Sequence, residues 1–154
     1  MEINILIDDG LEERPDVSWL QRIVEQVLAL EEADPEAEVS LVVTSRERVR
    51  ELNRKYLGRD APTDVLAFPI VAADEEPASF IPPPDGIRHV GEVIISHPQA
   101  VIQAKEQGHS TDKEIAILVI HGLLHLLGYG DETPQVKKQM QAREQEILNR
   151  LGIA

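Results

Sequence analysis

The stretch from Ile115 to Leu127 constrains this chain more than any other. It is 13 residues long, and His121 and His125 are its only strongly polar side chains. A bilayer span needs roughly 18 or more apolar residues, so this run is too short to cross one. A helix that is apolar on every side cannot lie at a surface and must be wrapped by other elements. Ser110 or Thr111 is placed to cap it, and Gly128 lets the chain leave it.

Elements that can do the wrapping are legible on both sides. Ile3 to Asp8 sets Ile3, Ile5 and Ile7 against Asn4, Leu6 and Asp8 and stops at the turn pair Asp9-Gly10, which predicts an opening strand. Asp16 or Ser18 caps a helix whose Leu20, Ile23, Val24, Val27 and Leu28 recur at three- and four-residue spacing. Glu38 to Thr44 is rich in β-branched residues and predicts a second strand, after which Ser45 caps a helix to about Tyr56; Tyr56, the last apolar residue of that helix, is expected in the core, with stacking on a base as the alternative. Thr63 to Pro69 and Gly91 to Ser96 predict two short strands around a loose, proline-broken loop at 71–86. A helix from His97-Pro98 to about Gln107 and a last one opened by Thr133 and Pro134 complete the order. The sum is an α+β fold: a small mixed four-stranded sheet packed with about five helices, one of them central and buried. At 154 residues and 42% hydrophobic, residues 1–154 have the size of one domain with a real core.

Histidines four apart on a helix share a face one turn apart, where a single ion can bridge them. Two such rings in an apolar run each need a partner, since an unsatisfied buried polar group costs about 1–3 kcal/mol. The alternative is a pair of ordinary core histidines. There is no cysteine, so a transition metal must be held by histidine and carboxylate. The string from His121 through His125 and Gly128 to Asp131 has zincin-type spacing, with Asp131 placed to supply a third ligand. A metalloprotease carries glutamate directly after the first histidine; this chain has Gly122, which disfavours peptidase chemistry. Either another group is the base, or a metal's depression of the pKa of water suffices. Met140 is either a floor to such a site or plain core packing, and the latter is the commoner use. His97 and His109 are expected as ordinary surface groups, with His89 beside the loop.

A net charge of −13 argues against non-specific attraction to nucleic acid, so an RNA-binding role needs a local basic patch. Ser45 to Arg59 supplies one: Arg46, Arg48, Arg50, Arg54, Lys55 and Arg59 against Glu47 and Glu51, six minus two, or +4. A solvated helix face with salt bridges is the plainer explanation. The acidic N-terminal start lacks the basic, then apolar pattern of a signal peptide, which predicts a cytoplasmic protein.

Together with Leu52–Tyr56, Asp60–Pro69 and Gly91–Ser96, the string around His121 resembles the YbeY family of bacterial endoribonucleases, from about Glu38 to Leu151. The resemblance implies a zinc-dependent, single-strand-specific endoribonuclease that helps mature small-subunit ribosomal RNA and supports ribosome quality control. Its partners would be that RNA and the small ribosomal subunit or a ribosome-associated protein. His121 and His125 carry over as metal ligands. The family's motif usually ends in Asp-His where this chain has Gly130-Asp131, which makes Asp131 the third ligand, with Glu132 the second choice. Leu57 stands where the family usually has arginine, so Arg59 becomes the candidate phosphate-binding catalytic residue, and Ala67 replaces the usual serine before Phe68. Arg46, Arg50, Arg54, Lys55 and Arg59 would hold the RNA backbone. Two rival functions remain: a metal-dependent hydrolase of another substrate, and a non-catalytic ribosome-associated module whose metal only stabilises the fold.

Overall fold

A computed structural model of the chain describes residues 2–11, 13–33, 35–59, 63–69, 88–130 and 133–153. The loop expected at 71–86, Asp131, Glu132 and the side chain of His89 lie outside the described residues. Four strands, β1 (Glu2–Ile7), β2 (Ala37–Thr44), β3 (Val65–Pro69) and β4 (Arg88–Ser96), form one sheet in the order β1-β2-β4-β3. The β1–β2 and β2–β4 pairs are parallel and β3 runs antiparallel to β4, which makes the sheet mixed as the pattern predicts. The helices are α1 (Val17–Leu30), α2 (Arg46–Leu57), α3 (His97–Gln107), α4 (Thr111–Leu126) and α5 (Pro134–Arg150).

Each helix begins on a side chain that satisfies an otherwise orphaned backbone N–H. Asp16 caps α1, Ser45 caps α2, Ser96 caps α3, Ser110 caps α4 and Thr133 caps α5. Helix α2 closes on Gly58 at φ 69°, and after α4 ends at Leu126 the chain turns away through Gly128 at φ 104°, a conformation that side chains with a Cβ resist.

Strand alternation sorts the sheet into two faces. Val39, Leu41, Val43, Val93 and Ile95 join Leu20, Val24 and Leu28 of α1, Ala100 of α3, Ile147 of α5 and nearly all of α4 in one core. On the other face α2 packs Val49 over Leu66 and Ile94, a smaller cluster that leaves Leu6 of β1 65% exposed. Helix α4 thus lies against β3 and β4 with α1, α3 and α5 around it, and each of its fully buried Leu and Ile side chains contributes about 1.5–3 kcal/mol.

The tightest approach of α4 to the sheet is at Gly122. A Cβ added there would lie 2.6 Å from Cγ1 and 3.1 Å from Cγ2 of Val93. No glutamate can follow His121 while this packing holds. The absence of the protease base is therefore a property of the fold as well as of the sequence.

Tyr56 and His97 depart from expectation. Tyr56, expected in the core, is 59% exposed, because α2 covers only part of the sheet and Tyr56 falls at the helix edge, with its ring 5.7 Å from that of Phe68. His97, expected at the surface, is buried because the cap places it under α3 at the end of β4. Met140 is core packing, 2% exposed among the residues around α4.

Candidate active site

Four-residue spacing on α4 brings the two imidazoles together edge to face, with centroids 4.7 Å apart at 77°. Their Nε2 atoms are 3.2 Å from each other. His121 Nδ1 lies 2.5 Å from Oε1 of Glu144 on α5. A carboxylate only accepts, so a neutral His121 carries its proton on Nδ1 and turns a lone pair out from Nε2. Without an ion, His125 Nε2–H donates to that lone pair; with both Nε2 atoms unprotonated, two lone pairs converge on one point, an arrangement that suits a metal cation.

The spacing fits zinc. Nitrogen ligands about 2.05 Å from a tetrahedral zinc stand about 3.3 Å apart, close to the separation of the two Nε2 atoms. Among the described residues, no third His, Cys, Asp or Glu completes a metal-binding group. Asp131 and Glu132, the expected third ligand and its substitute, fall outside those residues.

His121 and His125 open into a hollow of about 600 Å³. Its walls are the end of α2 with Asn53 and Leu57, Arg59 just beyond that helix, the segment Thr63 to Ala67 that enters β3, and Gly128 and Tyr129 after α4. Arg59 and the histidine pair thus line one cavity. Leu57, which stands at the family's usual arginine position, lies there too. So does Ala67, where no hydroxyl is available.

The remaining basic residues divide. Arg46, Arg50 and Arg54 are exposed and repeat every four residues, a stripe beside the Asn53–Leu57 flank that faces the hollow. Lys55 lies on the other flank, its Nζ 5.3 Å from the centre of the Tyr56 ring. Arg48 also turns that way, toward a second hollow of about 790 Å³ floored by Leu6, Val42 and Ile94 on the uncovered half of the sheet.

Two polar networks brace the walls. Arg143 of α5 donates from Nε to Glu31 at 2.6 Å and from Nη2 to the carbonyl of Leu30 at 3.1 Å. The Tyr129 hydroxyl donates to the same carboxylate at 3.2 Å. Burial, reinforced by the charge of Glu31, pushes the Tyr129 phenol above its ordinary 10.0. On the opposite wall Asp64, the one carboxylate among the described lining residues, accepts from the Val65 N–H at 2.7 Å and from Gln103 Nε2 at 3.3 Å. Gln103 also donates to the buried Glu114 at 2.8 Å, and His109 reaches Glu114 at 2.7 Å. His109 is therefore a partner to a buried acid and not the ordinary surface group its position after α3 suggests.

Glu144, Asn53, Asp64 and Tyr129 are site residues to which sequence reasoning gives no role. Glu144 does leave a trace: it interrupts the apolar stripe Val136, Met140, Ile147, Leu148 and Leu151 of α5 with a carboxylate.

Comparison with known proteins places this geometry in context. The profile of a family described as Endoribonuclease YbeY matches residues 6–152. An Endoribonuclease YbeY of Dehalococcoides mccartyi is 41% identical over 148 residues, covering 94% of this chain and 89% of the relative. One from Roseiflexus castenholzii is 43% identical over 140 residues, covering 90% and 86%. The solution structure of TM1509 from Thermotoga maritima superposes with a TM-score of 0.59 at 25% identity, over 97% of this chain and 91% of that one.

Proposed function

The chain belongs to the YbeY endoribonuclease family, and on that premise we propose that it cuts single-stranded RNA in the hollow beneath His121 and His125, with one zinc ion as cofactor. The observation that carries this reading is the convergence of the two Nε2 atoms at 3.2 Å in a cavity that Arg59 also lines. His121 and His125 would hold the metal with Asp131, or with Glu132 in its place. Bound there, zinc supplies Lewis acidity, polarising a phosphoryl oxygen and easing the loss of a proton from water near neutral pH.

The protein's own groups do the rest. Arg59 pairs with the phosphodiester and holds it against the histidine wall, where a guanidinium also offsets charge that builds on the phosphoryl oxygens. Arg46, Arg50 and Arg54 guide the strand along α2 toward the cavity, and Lys55 adds positive charge from the other flank. Gly122 keeps α4 seated on Val93 and so fixes where the histidines stand.

Within that reading the whole chain works as one catalytic unit in the cytoplasm, maturing small-subunit ribosomal RNA and acting in ribosome quality control. At a net charge of −13 it would approach its RNA on the small subunit or through a ribosome-associated protein, whose surface supplies positive charge it lacks. Among the described residues no helix is long and apolar enough to cross a membrane.

The test is cleavage of matched single-stranded and duplex RNAs by metal-stripped and zinc-loaded protein. The reading expects cutting of the single strand only, only with zinc, and loss of it in folded His125→Ala and Arg59→Ala variants. Equal cleavage by the stripped protein would overturn the metal's role. Equal cleavage by Arg59→Ala would remove that residue from the reaction.

A further inference from the structure

We propose that Glu144 is a positioning residue for the metal site: it locks His121 in the tautomer and ring orientation that binds an ion, and so sets the protein's zinc affinity. The inference rests on the zinc reading above and adds a residue to it from another helix.

The first observation is where the carboxylate stands. Met140, Ile147 and Leu148 are buried and lie one turn before or after Glu144, so the charge occupies the core-facing stripe of α5. An acid there is costly to desolvate and needs a specific partner. Its partner is His121 Nδ1 at 2.5 Å, with 17% of the Glu144 side chain exposed. The neighbouring Arg143 does not compete for it, since its guanidinium is engaged with Glu31 at 2.6 Å and Glu146 at 3.0 Å.

The second observation is what the contact does at the far side of the ring. With the proton held on Nδ1, the Nε2 lone pair faces Nε2 of His125 across 3.2 Å. Without the carboxylate the proton is free to reside on Nε2, where it blocks the ligand position, and the ring loses an anchor that reaches it from another helix. Carboxylates that orient a ligating histidine in this way typically contribute about 10–100-fold in metal affinity.

Zinc affinity, measured by competition with a chromogenic chelator, separates this role from a merely structural ion pair. Glu144→Ala is expected to bind zinc about 10–100-fold more weakly. Glu144→Gln, which keeps an acceptor of the same shape without the charge, is expected to fall between that variant and the parent. Nitrogen-15 spectra of the metal-free proteins should place the His121 proton on Nδ1 in the parent and shift it toward Nε2 in Glu144→Ala. A folded Glu144→Ala that binds zinc as tightly as the parent overturns the proposal while leaving the metal site intact. If Glu144→Ala does not fold, Glu144→Gln decides, and parental affinity in that variant overturns the proposal. A parent protein that takes up no zinc overturns the metal reading itself, and this inference with it.

Discussion

Gly122→Ala should destabilise a protein in which most glycine-to-alanine changes inside a helix would help. Relief of backbone entropy favours alanine by about 1 kcal/mol in a helix interior. Against that, the new methyl would stand 2.6 Å from Cγ1 of Val93, which is fully buried. Ordinary carbon contacts are about 3.5–4.0 Å, so the helix or the strand must move by about 1 Å. Overpacking of this kind costs about 1–3 kcal/mol. With two Val93 methyls and Val65 Cγ2 around the same point, the upper end applies, and the net loss should be about 1–2 kcal/mol. Val93→Ala alone should cost about 2 kcal/mol through the cavity it leaves. In the double variant the new methyl enters that cavity, so the two losses should fail to add, with a coupling of about 2 kcal/mol. Urea denaturation of the four proteins measures all three quantities. A neutral or stabilising Gly122→Ala, or a double variant whose loss is the sum of the single ones, would refute the claim that contact with Val93 fixes α4 on the sheet.

Three other outcomes follow from the same structure. Burial lowers the His97 pKa below its ordinary 6.5, against the pull of Glu13 and Asp112, so the folded state prefers the neutral ring. Stability should then fall as pH drops below about 6.5, and His97→Gln should flatten that part of a denaturation-versus-pH curve; an unchanged curve would count against it. Glu31→Ala removes the acceptor shared by Arg143 and Tyr129 and should cost about 2 kcal/mol in chemical denaturation, whereas a loss near zero would mean Glu146 alone suffices for Arg143. Arg54→Ala should weaken single-stranded RNA binding and lower the slope of log affinity against log salt by about 0.7, one phosphate contact; an unchanged slope would take Arg54 off the RNA path.

Much of the fold is legible because it is local. Ser45, Ser110 and Thr133 sit at helix starts where capping chemistry demands them, and the phase of Ile3, Ile5 and Ile7 fixes which face of β1 packs. The spacing of His121 and His125 places both rings together for the same reason. What stays hidden depends on tertiary packing. Glu144 meets His121 across 23 residues only because α5 lies along α4. Tyr56 resembles the end of an apolar helix face, yet that face meets only part of a sheet whose far half is open. His97 and His109 flank a helix in sequence like surface groups, but the burial of Glu114 and the seat of α3 at the sheet's end draw them inward. Gly122 reads in sequence as a missing base and in space as the contact that seats the helix.

The central claim is that His121 and His125 are metal ligands in the place where RNA is cut. Its most direct test is elemental analysis of the purified protein beside His125→Ala and Asp131→Ala, each then assayed on single-stranded RNA. One zinc per chain in the parent, with metal and cleavage lost or weakened together in both variants, is the predicted result. Cleavage that persists in a His125→Ala protein without metal would contradict it.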